Sequence, residues 1–171
     1  MSTANKIRLA AISAALLTSV IAAIPSKTMI VTPADLEQTF KSPIQEIMKV
    51  AKAKGINPDH LLAISAQESS LGKFKSGDNG CSKGWFHINT CPNANPAAAA
   101  IIGDPEREAE WVADKLISYG YLEGKITLAF ARYNSPANPN YVYAEQVEKR
   151  LAELDIYLEP YRTPPEAQGT P

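Results

Sequence analysis

The chain is short of surplus charge, of cysteine and of long apolar runs, and each shortage removes a class of function. Its 17 basic and 18 acidic residues leave a net charge of −1 over 171 positions. Nothing in that balance makes a phosphate-binding surface or a polybasic membrane patch, so nucleic acid is not an expected partner. Cysteine is limited to Cys81 and Cys91. A zinc site would need two further ligands, and His87 is the only histidine beside the pair, so no metal is expected. In an oxidising compartment an isolated pair at this spacing is expected to close a disulfide. Such a short loop contributes roughly 2–3 kcal/mol in the chain-entropy model.

The single long uncharged run, Leu9 to Ile24, follows Lys6 and Arg8 and ends at Pro25 and Ser26. A positive start, an apolar middle and small residues at Val20 and Ala22, or Ile21 and Ala23, have the layout of an export signal. Residues 1–25 are therefore read as a signal peptide, with membrane anchorage through residues 9–24 as the uncleaved alternative. Removing residues 1–24 takes away Lys6 and Arg8 and no acid, which leaves a mildly acidic exported domain, periplasmic or extracellular.

The full chain is 45% hydrophobic, and what remains after the export run is enough for one core of ordinary size. Residues 26–40 lack sustained periodicity and contain Pro33, which makes them a linker. A domain is expected over residues 41–159, and a Pro-rich disordered tail over 160–171. Ser42–Pro43 is a helix start, and Ile44, Ile47, Met48 and Ala51 follow at helical spacing until Gly55. Asn57–Pro58 opens a second helix through Leu61, Leu62 and Ile64 to Glu68, stopping at Gly72. Counting back by four and seven puts Glu68 on the stripe of Ile64 and Leu61, so a carboxylate is aimed inward.

From Gly72 to Asn95 helical periodicity is lost, and Trp85, Phe86 and Ile88 form a short apolar stretch in a structured loop with a small hairpin. Helices are expected again over Pro105–Tyr119, with Glu106 and Glu108 in the first turns, and over Glu123–Asn134. A last helix follows Asn138–Pro139–Asn140 and carries Tyr143, Val147, Leu151 and Leu154 at spacings of three and four. No internal repeat is present.

Three segments carry the chemistry: Gln67-Glu68-Ser69-Ser70, Gly84-Trp85-Phe86-His87-Ile88-Asn89 and Ala131-Arg132-Tyr133-Asn134-Ser135-Pro136. Their order and spacing resemble the soluble lytic transglycosylases of the lysozyme-like superfamily, over about residues 43–151. In that family a Glu-Ser pair ends a helix. A Gly-Leu-Met-Gln-like segment follows, and an Ala-Tyr-Asn-Ala-Gly-like segment closes the site. Tyr143 and Val147 stand where the family often has a tyrosine-to-valine pattern. The resemblance implies a mainly α, lysozyme-like helical domain with a small loop and hairpin region stapled by one disulfide. It implies peptidoglycan glycan strands as substrate and no cofactor. Secretion, conjugation and phage machinery share this domain with wall turnover, and the sequence does not choose among them.

In the implied reaction Glu68 is the catalytic acid, because glycosidic cleavage near neutral pH needs a carboxyl that is still protonated, and desolvation favours that form. Tyr133 is expected to approach it, and Asn134 to brace the groove. Their plain alternatives are an aromatic core residue and a helix C-cap. Ser69, Ser82 and Trp85 are further candidate substrate contacts, although Ser69 also suits a backbone-bonding role at the helix end, and core packing suits Trp85 or Phe86.

His87 stands where the family has glutamine, as a substrate contact able to donate one hydrogen bond and accept another, or as a plain loop histidine. Glycosidases with two carboxylates place the second about 5–5.5 Å or 6.5–9.5 Å from the first. The segment from Ser82 to Asn89 also resembles an animal-lysozyme run in which an aspartate stands at the place of Ser82. Asp78 is the nearest remaining carboxylate, with a solvated turn as its plainer reading.

Overall fold

The computed structural model describes residues 41–91 and 96–162, with side chains to residue 155. The export run, the linker and tail residues 163–171 lie outside the described residues. Within them the chain is mainly helical, with a three-stranded hairpin region joined by the Cys81–Cys91 disulfide, whose Cα atoms are 4.8 Å apart.

Helix α1, Lys41–Ala53, buries Ile44, Ile47, Met48, Val50 and Ala51 on one side. Helix α2, Pro58–Ser69, starts where Asn57 accepts the Asp59 N–H and Pro58 fills the first turn. Its residues from Leu61 to Ala66 are all buried, so the expected inward stripe is a central helix with no solvent face over those positions. It ends in two left-handed residues, Ser70 and Leu71, with φ of 53° and 55°. Burial of the Leu71 side chain at 0% exposure helps to hold that uncommon conformation.

Three two-residue strands follow: β1 Ser76–Gly77, β2 Ser82–Lys83 and β3 Ile88–Asn89. Both pairings are antiparallel, with Ser76 opposite Lys83, Gly77 opposite Ser82 and Ser82 opposite Asn89. A short helix that the sequence reading lacked, α3 at Pro96–Ala99, precedes α4 at Pro105–Ser118. Asp104 caps α4 by accepting the Arg107 N–H at 3.1 Å.

A 3₁₀ turn at Tyr121–Glu123 separates α4 from α5, Ile126–Asn134, which therefore begins three residues later than expected. Helix α6, Tyr141–Arg162, is longer than expected. Pro160, the expected first residue of the tail, lies inside α6.

Helix α2 packs on α1 and α6, α4 on α1, and α5 on α6. The hairpin region sends Trp85, Phe86 and Ile88 into the same core, each at most 1% exposed. His60, expected at the surface, is half-buried against the Phe130 ring, and the Tyr121 hydroxyl lies 2.7 Å from its Nδ1. Among the described residues no helix is long and apolar enough to cross a membrane.

Candidate active site

Glu68 leaves the buried part of α2 one turn after Ile64, which carries its carboxyl from the core to the wall of a cavity of about 380 Å³. Its side chain keeps 17% exposure. The hairpin region lines the same cavity with Asp78, Ser82, His87, Ile88 and Asn89. Trp111 and Lys115 of α4, with Tyr119 just after it, make a second wall, and Tyr133, Asn134 and Pro136 a third.

The tyrosine that touches Glu68 is Tyr143. Its hydroxyl donates to Glu68 Oε1 at 2.6 Å from the first turn of α6. Burial and the adjacent Glu68 charge push the Tyr143 phenol well above its ordinary value, so it remains a proton donor. Tyr133, expected in that role, instead donates to the Phe86 carbonyl at 2.8 Å. It lines the cavity and steadies the loop that carries His87. Its phenol is also raised, by burial first and then by the charges of Glu68 and Glu108.

The start of α6 fixes Tyr143. Asn140 accepts the Tyr143 N–H on its Oδ1 at 3.2 Å and donates from Nδ2 to Asn134 Oδ1 at 2.9 Å. Asn134 therefore braces the joint between α5 and α6 at the edge of the cavity. Beside Glu68, Gln67 donates to Gln146 at 3.0 Å and accepts from Arg150 Nε at 3.1 Å. These bonds lock α2 against α6 at the register that brings Glu68 to Tyr143.

His87 has a left-handed backbone, φ 47°, and both ring nitrogens are engaged. Nε2 lies 2.7 Å from the Phe74 carbonyl, which only accepts, so Nε2 carries a hydrogen. Nδ1 then faces Glu68 Oε2 at 3.6 Å. The position expected to contact sugar thus sits first against the acid itself.

Ser82 donates to Asp78 Oδ2 at 2.7 Å, so both polar groups stand at the cavity wall in contact with each other. Two expected substrate contacts lie elsewhere. Ser69 is fully buried and donates to the Trp85 carbonyl at 2.6 Å while accepting the Gly72 N–H at 2.7 Å. Trp85 is 1% exposed, its large apolar ring placed in the core rather than against the groove.

The loop from Gly84 to Phe86 is held from below by Glu108, whose place in the sequence shows only a dipole-favoured acid in the first turns of a helix. At 0% exposure Glu108 accepts the Trp85 N–H at 2.7 Å and the Gly103 N–H at 2.8 Å. Burial raises its carboxyl above the ordinary value, and the backbone N–H groups offset part of that rise. A Cβ on Gly84 would collide with this carboxylate. Glycine in the middle segment is thus required by the buried acid beneath it. Among the described residues no three His, Cys, Asp or Glu side chains converge as a metal site would need.

Comparison of the chain with protein-family models, with curated proteins and with solved structures finds no match.

Proposed function

We propose that this protein is a lytic transglycosylase of lysozyme-like fold, exported to cleave the glycan strands of peptidoglycan. The carrying observation is Glu68. It is a carboxyl at the end of a buried helix, open to a groove, with one oxygen held by a tyrosine that stays protonated and the other facing His87. Glu68 gives its proton to the oxygen between N-acetylmuramic acid and N-acetylglucosamine as that C–O bond breaks. It then takes the proton of the muramic 6-hydroxyl as O6 closes on C1 to form a 1,6-anhydro ring. The sugar's own N-acetyl group stabilises the reacting carbon, so no second carboxylate is required.

Asp78 supports a second reading. It lines the same cavity, and a carboxylate there could hold a water for hydrolysis, as in a muramidase. Its bond from Ser82 and its place on a turn favour the first reading. A non-catalytic glycan-binding module and a chitin-directed enzyme are the remaining alternatives.

The test is mass spectrometry of sugars released from purified peptidoglycan and from chitin by the wild type and by Glu68→Gln. Anhydro-muropeptides from the wild type alone are expected. Reducing ends would make the protein a hydrolase and Asp78 the next residue to change. Release from chitin alone would move the substrate, and equal or absent release from both proteins would end the enzymatic reading.

A further inference from the structure

Two turns of α4 present Trp111 and Lys115 to the cavity that holds Glu68. The residues are one turn apart, and the Lys115 ammonium lies 5.3 Å from the centre of the indole ring. A cation over an aromatic face is held in position without losing its charge. Other lysines near this helix are differently placed. Lys54 pairs with Asp114 at 2.6 Å and Lys49 with Glu106 at 3.1 Å, both across the contact with α1. Among the described residues no carboxylate lies within ion-pair distance of Lys115, so its charge is left to the groove.

That charge matters because the same cavity carries two acids, Glu68 and Asp78. Ionised Asp78 repels an anionic strand, and Glu68 adds to that repulsion whenever it has given up its proton. A neutral glycan of hydroxyl and acetamido groups needs no cation for recognition. A muramic residue differs by its lactyl arm, which brings a carboxylate either directly, in a strand without peptides, or through the peptide stem attached to it.

We propose that Lys115 is the carboxylate-recognition point of this groove and selects glycan strands bearing an anionic lactyl arm over neutral ones. The proposal rests on the glycan-strand reading of the site and adds its specificity. Trp111 supplies the face on which the ammonium is held, and Lys115 the charge-assisted hydrogen bond.

The test is a calorimetric titration of the full chain carrying Glu68→Gln, with and without Lys115→Met or Lys115→Arg. Four tetrasaccharides are used: one with free lactyl carboxylates, one with those carboxyls as methyl amides, one with peptide stems, and chitotetraose. Lys115→Met is expected to weaken binding of a carboxylate-bearing ligand about ten-fold, the order of one charge-assisted hydrogen bond. The methyl amide and chitotetraose should be unaffected, and Lys115→Arg should retain the preference. Loss confined to the free-acid strand names the lactate as the anion, and loss confined to the stem-bearing strand names the peptide. Equal weakening of all four ligands, no effect on any, or no binding of any at millimolar concentration would overturn the proposal. Because binding is read without turnover, carboxylate selection in a protein that releases no sugar would sink the catalytic reading alone. Turnover without Lys115-dependent selection would sink only this one.

Discussion

Tyr143→Phe removes one oxygen atom from the site and leaves the ring in its packing, which makes it the cleanest probe of how Glu68 is held. The hydroxyl it deletes donates at 2.6 Å to a carboxyl that, in the proposed mechanism, carries charge in one half of the cycle and a proton in the other. A hydrogen bond to a charged group contributes about 1.5–3 kcal/mol, so kcat for sugar release is expected to fall about ten- to a hundred-fold. Steady-state rates on purified peptidoglycan check this, and an unchanged kcat would mean that Glu68 acts without its donor. The same residue shows what could be read one position at a time. Glu68 was legible because a helix start, a helical stripe and a stop all lie within sixteen residues of sequence. Tyr143 is visible in an apolar stripe and in the family-like pattern with Val147, and neither gives it a place beside Glu68. Its contact with Glu68 spans 75 residues, and no local pattern says which of two tyrosines reaches across.

At the scale of elements, the start of α5 has no side-chain cap and falls three residues later than expected, whereas the starts of α2 and α4 are readable because capping is local: Asn57 and Asp104 each bond a backbone N–H two or three residues on. The loop between α2 and α4 is not, because Glu108 determines its path from 23 residues away. Two glycine substitutions separate that control from simple backbone preference. Gly80 and Gly84 have similar φ, +87° and +82°, but a Cβ meets nothing at Gly80 and the Glu108 carboxylate at Gly84. Gly80→Ala should therefore cost about 1–2 kcal/mol, the conformational penalty alone. Gly84→Ala adds a collision with a buried charged group and should cost at least about 3 kcal/mol. Urea unfolding of both variants decides it, and equal losses would show that Glu108 yields its place freely. Ser69 and Trp85, offered as substrate contacts beside a bonding and a packing role, take the latter roles: Glu68 and His87 of the same segments reach the cavity, whereas these two turn inward.

For the whole molecule, half-buried His60 and buried Glu108 are expected to set opposing pH slopes on stability. Burial holds His60 below its ordinary value of 6.5, outweighing Asp59 and Glu148, which raise it. The unfolded chain then takes up this proton first as pH falls. The His60 contribution is full above about pH 6.5 and is lost as pH drops through the folded value. Glu108 runs the other way. Its folded value lies above 4.5, so its contribution is full below about pH 4.5 and is lost as pH rises through the folded value. Both groups join parts of the chain that are distant in sequence, His60 to the turn at Tyr121 and Glu108 to the loop under the groove. Their titration is therefore expected to appear in global unfolding rather than in local fraying. Urea midpoints from pH 4 to 8 are expected to fall less steeply on acidification in His60→Gln than in the wild type. Glu108→Gln keeps one accepting oxygen but sets its amide NH2 against the other backbone donor, and should cost about 2 kcal/mol. It should also remove the alkaline-going loss, so that its deficit against the wild type shrinks as pH rises. Parallel midpoint profiles for all three proteins would mean that neither group changes its proton affinity on folding, and that the acid sensitivity of this fold lies elsewhere.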